Sequence, residues 1–218
     1  MFTAFRLAIL AIATVLFCLV SSAQEMHLKT EFGGGVGAGF TVPTDRTGES
    51  LNMGWNFNLR GGLHLSPHLS TVLDFTYNRS NLNSATLALF QEPNGSVSLW
   101  SLTFNPVVRF ASGDHKLQPY ITAGYGLYHQ NLTLTQPAIV RTLVCNRFWG
   151  YCFPAAVGVN QVVASGSTLK TGFNAGGGFD IPLGSHRAKL FTEARYHRMF
   201  TTYGSDFTYI PVTFGVHF

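Results

Sequence analysis

The chain has 218 residues, 46% of them hydrophobic and 14% aromatic but only 11% charged, less than half the charge of an ordinary soluble domain. Its 14 basic and 10 acidic residues leave a net charge of +4. The bases are scattered, not clustered as a phosphate-tracking surface requires, which argues against nucleic acid as a partner. High glycine and aromatic content without long apolar runs argues against a bundle of membrane helices and suits a lipid-facing β-barrel, whose strands alternate.

The one long apolar stretch, Leu7 to Val20, follows Arg6 and ends in Ser21-Ser22-Ala23. A basic start, an apolar run of about 14 residues and a small-residue cleavage site predict a signal peptide over residues 1–23. The run is too short and too near the N-terminus for a spanning helix, which needs about 20 residues. Cys18 follows Phe17, where lipid attachment wants a small residue, so a lipoprotein is disfavoured. The remaining residues, 24–218, suffice for one domain. An exported chain meets an oxidising compartment, so Cys145 and Cys152 are expected to form a disulfide. No His or acid set accompanies them, and neither a metal nor a cofactor is expected.

Eight alternating segments follow in chain order, bounded by Gly, Pro, Asn and Asp clusters. The first, about Leu28 to Val42, carries Phe32, Val36, Ala38 and Phe40 on one parity and Glu31 with four glycines on the other. The second, about Leu51 to Leu65, sets Trp55, Phe57, Leu59 and Leu63 against Asn56, Asn58, Arg60 and His64. The third, about His68 to Asn81, sets Leu73, Phe75 and Tyr77 against Ser70, Asp74, Thr76 and Asn78. The fourth, about Leu99 to Phe110, sets Trp100, Leu102, Phe104 and Val108 against Ser101, Thr103, Asn105 and Arg109. The fifth starts near Leu117, with Ile121, Tyr125 and Leu127 outward. The sixth, about Leu169 to Leu183, sets Phe173, Phe179 and Ile181 against Lys170, Asn174 and Asp180. The seventh, about Lys189 to Phe200, sets Leu190, Ala194 and Tyr196 against Glu193, Arg195 and His197. The eighth, Tyr209 to Phe218, carries Ile210, Val212, Phe214, Val216 and Phe218 in one unbroken apolar row.

The connections alternate in length. Ser66-Pro67, Ala111 to Lys116 and Gly184 to Arg187 are tight, whereas Pro43 to Ser50, Leu82 to Ser98, Asn131 to Ser167 and Thr201 to Phe207 are longer. Short periplasmic turns and long outer loops are the signature of an outer-membrane barrel. The inward parities gather Glu31, Asp74, Asp180 and Glu193 with Arg60, Arg109, Arg195 and Lys170. An eight-stranded barrel is only wide enough for side chains to fill it, so these charges are expected to pair as a network that plugs the lumen. A charge-lined ion path is the competing reading.

Several local patterns carry less. His64 with Ser66 and His68 with Ser70 have the spacing of a nucleophile and its base. They flank a periplasmic turn, far from outer-leaflet lipid A, and read as polar residues beside a turn. Glu193 with His197 reads as lumen packing. Three Asn-x-Ser/Thr sequons, at Asn78, Asn94 and Asn131, are taken as chance. The run Gly33 to Gly39 lacks the Lys-Ser/Thr ending of a phosphate loop and sits in strand phase. The third outer segment, about 131–167, is apolar and poor in turn residues on both sides of Cys145 to Cys152. It is expected to protrude as a hairpin stapled near its end, with Arg147, Phe148, Trp149 and Tyr151 either displayed as a contact surface or folded onto neighbouring loops.

Pro119 to Gly126 (P-Y-I-T-A-G-Y-G), Phe173 to Gly184 (F-N-A-G-G-G-F-D-I-P-L-G), Phe191 to His197 (F-T-E-A-R-Y-H) and the terminal strand together resemble the small outer-membrane β-barrel family that includes the transmembrane domain of outer membrane protein A. The resemblance implies an all-β, eight-stranded antiparallel up-and-down transmembrane barrel, without the periplasmic peptidoglycan-binding domain of some relatives. It carries no catalytic residue. The expectation is a non-enzymatic, monomeric barrel of the bacterial outer membrane, serving envelope integrity or surface contact and adhesion through its loops. A narrow pore is the alternative, and a lipid-A-modifying enzyme a distant third. Partners expected are outer-membrane lipid, a surface ligand or host cell, and the barrel-assembly machinery, which would read Phe214, Val216 and Phe218 as the insertion signal.

Overall fold

The computed structural model describes residues 31–110, 116–148, 150–183, 188–202 and 204–218. The expected signal peptide, most of two periplasmic turns and Trp149 lie outside these residues. Eight strands form one closed antiparallel ring in sequence order: β1 (Glu31–Pro43), β2 (Gly54–His64), β3 (Leu69–Asn81), β4 (Asn94–Arg109), β5 (Gln118–Asn146), β6 (Tyr151–Pro182), β7 (Lys189–Met199) and β8 (Phe207–His217). The expected parities hold through the membrane-spanning part. Asn56, Asp74, Ser101, Thr103, Asn174 and Arg195 are buried, while Phe57, Leu73, Leu102, Phe104, Ile121 and Phe214 are exposed on the outside. Only lipid can cover such a belt, each large apolar side chain gaining about 1.5–3 kcal/mol on leaving water.

The strand ends depart from the sequence reading, and one physical cause explains most of it. β4 begins at Asn94, not near Leu99, and above the membrane its alternation inverts. Val97 and Leu99 point inward and are buried, while Ser96 and Ser98 point outward. Outside the bilayer the outer face meets water and the mouth of the barrel becomes the dry side. Leu51 therefore leaves β2 and turns inward, held by an isolated bridge to Leu82. Two outer connections also contain short helices that the sequence reading treats as loop, α1 (Asp45–Ser50) and α2 (Ser84–Phe90). The α2 start is set by Asn83, whose side chain accepts from the Thr86 backbone N–H at 2.8 Å, a regular N-cap.

Ring closure rests on the pairing of β1 with β8, from Gly35↔His217 to Pro43↔Tyr209. Just below it Gly34 and Phe218 exchange two backbone hydrogen bonds, each 2.9 Å. Closure leaves no sheet edge in the hydrocarbon, where an unpaired backbone group is costly. Gly39 is required at this seam, because a Cβ there would sit 1.9 Å from the Val212 carbonyl oxygen. Deleting Phe218 removes both Gly34 bonds and an outward ring. Its expected result is a loss of folded, heat-modifiable barrel on gel electrophoresis of outer membranes, larger than that of any outer-loop substitution; normal insertion would count against an assembly role for this residue.

Candidate functional site

The lumen is filled in three tiers. At the centre Arg60, Asp74, Glu193 and Arg195 form a ring of two cations and two anions. Arg195 Nη1 lies 2.7 Å from Asp74 Oδ2 and its Nε 2.7 Å from Glu193 Oε1, while Arg60 Nη2 lies 2.9 Å from Glu193 Oε1 and its Nε 3.4 Å from Asp74 Oδ1. All four side chains are at most 8% exposed. Each carboxylate draws further donors: the Tyr120 hydroxyl to Glu193 at 2.8 Å and the Asn105 amide to Asp74 at 2.9 Å. The Arg60 guanidinium also lies 4.1 Å from the Phe191 ring centroid. Balanced charge and nearly complete hydrogen bonding make such burial tolerable.

Toward the periplasm Arg109 Nε pairs with Asp180 Oδ2 at 3.2 Å, and His217 Nε2 lies 3.4 Å from the same oxygen. Lys189 donates to Gln118 at 2.9 Å. A cavity of about 60 Å³ lined by Gly33, His64, Tyr120 and His217 opens beside them. Toward the outside the filling turns apolar. His197 stacks on Tyr209 and meets the Tyr128 hydroxyl at 3.1 Å. Above lie Leu99 and Met199, then Leu51, Leu82, Val97 and Leu134, packed by Leu87, Leu132 and Phe207.

Of the eight charges expected in one lumen network, the structure places four in the central ring and sets Arg109 with Asp180 as a separate pair. Lys170 is half-buried at the outer mouth and donates to the Thr202 hydroxyl. Glu31 is exposed at the periplasmic start of β1, opposite His64. Both share the inward parity, but Glu31 is the first residue of β1 and Lys170 lies where β6 passes from the ribbon into the barrel wall, so neither joins the central ring. Tyr120, Asn58 and Asn105 join the central ring without having been singled out, although each lies on an inward parity. The apolar tier has no signal in the polar inward alternation, because Val97 and Leu99 are apolar residues on the inward parity.

The His and Ser pairs do not assemble into a catalytic set. The Ser66 hydroxyl accepts from the Leu69 backbone N–H at 3.1 Å, as a turn residue does. The Ser70 hydroxyl accepts from the Arg109 guanidinium. Glu193 is held by two arginines and Tyr120, and His197 by Tyr128 and Tyr209.

Beyond the barrel β5 and β6 run on as a two-stranded ribbon, paired from Thr135↔Val162 to Asn146↔Tyr151, with an irregularity at Leu134/Thr135. Cys145 and Cys152 are register partners joined by a disulfide. At the tip Gly150, with φ +65°, donates its backbone N–H to the Asn146 carbonyl at 3.0 Å, and the Phe148 N–H donates to the Asn146 side chain at 2.9 Å. Arg147 is exposed, Phe148 is 96% exposed and Tyr151 49%. Tyr151 packs beside Phe153 with ring centroids 6.0 Å apart. Along the ribbon Ile139, Val140, Leu143 and Val162 are also exposed. The only charges between residues 131 and 167 are Arg141 and Arg147. In the neighbouring outer loop, Asp206 accepts from the Thr201 backbone N–H at 3.0 Å and from Arg198 at 2.7 Å. Those donors, the backbone one foremost, hold its carboxyl below the usual carboxylate range.

No curated protein matches the chain in sequence. Among solved structures similar to it, neisserial surface protein A (NspA) shares 13% identity, with 85% of this chain and 95% of that chain covered and a TM-score of 0.52. Ail, the attachment invasion locus protein of Yersinia pestis, solved in complex with the heparin analogue sucrose octasulfate, shares 14%, with 86% and 99% covered and a TM-score of 0.45. The N-terminal β-barrel domain of Pseudomonas aeruginosa OprF shares 14%, with 87% and 100% covered and a TM-score of 0.42. At such identities the likeness, carried by NspA, is one of fold. The family described as outer membrane protein beta-barrel domain matches residues 10–218. With eight strands closed around a charged core and an apolar belt outside, the chain belongs to the outer-membrane protein β-barrel family and resides in the bacterial outer membrane.

Proposed function

We propose that the protein is a non-enzymatic surface-contact protein, in which the plugged barrel is the anchor and the β5–β6 ribbon makes the contact. The observation that carries this reading is the tip itself: a disulfide-closed turn presenting Phe148 almost wholly to the medium beside Arg147 and Tyr151. Exposed aromatics beside an arginine are the residue types that dominate binding energy at interfaces, and a tip closed by a covalent bond loses less conformational freedom on binding. Two cations without a nearby carboxylate in the same segment fit a partner with an apolar pocket and an anionic rim.

A pore finds little support, since the central tier is built of side chains with almost no exposure and the outer mouth is packed with apolar ones. An enzyme finds little either, since the Ser66 and Ser70 hydroxyls accept from the Leu69 N–H and the Arg109 guanidinium, and His197 is held between Tyr128 and Tyr209. The test is attachment of bacteria displaying the protein to cultured cells and to immobilised matrix. Reducing Cys145–Cys152, or replacing Phe148, Trp149 and Tyr151 together by alanine, is expected to lower attachment by about tenfold or more, the scale of losing one hot-spot cluster. The barrel should remain heat-modifiable throughout. Attachment unchanged at equal surface levels would overturn the reading.

A further inference from the structure

A second outer feature lies on the barrel wall, away from the ribbon tip. Along the outward parity of β3, β4 and β5 the lipid-facing rows are apolar up to a rank of rings in register, Tyr77, Trp100 and His129. Trp55 lies 5.4 Å from Tyr77, and Trp100 stacks on His129 at 5.2 Å. Such a belt marks the interface between hydrocarbon and headgroups. Two residues further out on the same parity the chemistry changes at once. Arg79 pairs in register with Ser98, and Asn81 with Ser96, which in turn faces Thr133. A two-residue step along a strand is about 7 Å, so this polar row sits at headgroup height.

The row is concave. Arg79, Asn81, Ser96, Ser98, Thr133 and Thr135 line a groove of about 620 Å³, bordered by Tyr77 on the membrane side and by Asn160 of the ribbon on the other. Its volume is in the range of small-molecule sites, yet its polar side chains are all neutral apart from Arg79. That guanidinium is exposed, and among the described residues no carboxylate forms an ion pair with it.

We propose that this groove binds a phosphorylated saccharide headgroup. Amides and hydroxyls that both donate and accept match the hydroxyls of a sugar. The exposed Arg79 guanidinium offers a planar fork to a phosphate, and bidentate pairing of that kind is both strong and oriented. The Tyr77 ring at the lower border offers an apolar face to a sugar ring. A protein partner would be expected to meet a cluster of exposed aromatic anchors; the groove has Tyr77 with Leu82 and Leu87 among mostly polar side chains, and the exposed Phe148 and Tyr151 belong to the ribbon tip. The headgroup can come from a glycolipid of the outer leaflet, its acyl chains running down past Tyr77 and Trp100, or from a soluble phosphorylated glycan.

The test uses the full-length protein in detergent micelles, titrated with three probes: bisphosphorylated lipid A, lipid A stripped of its phosphates, and the bisphosphorylated disaccharide freed of acyl chains. The phosphorylated lipid is expected to bind about tenfold or more tighter than the dephosphorylated one, the scale of a charge-assisted hydrogen-bonded pair. Arg79→Ala should abolish that preference, Arg79→Lys should restore part of it, and Arg141→Ala on the ribbon should leave it unchanged. Binding of the soluble disaccharide as tight as that of the lipid identifies the source as a free glycan; binding of the acylated form alone identifies it as a lipid. Equal affinity for phosphorylated and dephosphorylated lipid, an Arg79→Ala variant that discriminates as the native protein does, or an equal loss in Arg141→Ala would each overturn the proposal.

Discussion

Glu193→Leu is expected to destabilise the folded barrel by about 3–5 kcal/mol, the cost of leaving buried charge without its partner. Glu193 receives both Arg60 and Arg195 at 2.9 Å or less and the Tyr120 hydroxyl at 2.8 Å. Removing it strands two guanidinium groups, each at most 8% exposed, against a single Asp74. The double variant Glu193→Leu with Arg195→Met removes one charge of each sign and leaves Arg60 facing Asp74. It should recover most of the loss, because a balanced buried pair replaced by apolar side chains of similar volume is often close to neutral. The measurement is equilibrium urea unfolding in lipid vesicles, followed by tryptophan fluorescence. A single variant as stable as the native protein would mean that the centre is wet and the ring does not plug the lumen. A double variant no better than the single one would mean that shape, not charge, sets the cost.

Gly39→Val should be nearly as damaging, by about 3 kcal/mol at the upper end of overpacking costs, and by a different route. A Cβ at Gly39 meets the Val212 carbonyl oxygen at 1.9 Å and the Thr213 Cα at 3.0 Å, so the obstacle is backbone on both counts. A side chain could rotate away; a paired strand cannot without breaking the β1–β8 seam that closes the ring. The expected phenotype is a barrel that folds poorly and unfolds at lower urea. Gly158→Ala is the matched control, because a Cβ there meets nothing within 4 Å on the exposed ribbon. If both variants fold equally well, the seam tolerates separation and closure is looser than the register implies. Gly178 answers a related need inside the lumen. A Cβ there would lie 2.7 Å from the Tyr120 hydroxyl, so the missing side chain is what lets that phenol reach Glu193.

Much of this protein is legible in the sequence because a barrel wall is a nearly local object. Whether Phe57 faces lipid and Asn58 faces the lumen depends only on period-2 alternation and on one apolar solvent outside. Eight alternating segments, short and long connections in turn, and the ribbon carrying Cys145 and Cys152 all follow from that rule. What lies above the membrane escapes it. There the apolar side of the strand changes from outside to inside, so Val97 and Leu99 look misplaced and Asn94 to Ser98 look like loop. The helix at Ser84–Phe90 is too short for a periodic signal and shows in sequence only as an Asn cap and a few good helix formers.

By itself, then, the sequence determined the class of fold, the membrane, the strand faces and the pool of inward charges. Only the tertiary structure decided which of those charges meet. Arg60 and Glu193 are 133 residues apart and Arg195 and Asp74 are 121 apart; their contact depends on strand tilt and register around the whole ring, which parity does not encode. The same holds for the groove at Arg79. Its residues come from four strands and α2, whose alignment is set by pairing, so a lone arginine in the sequence becomes the single charge of a polar hollow only once the wall is closed.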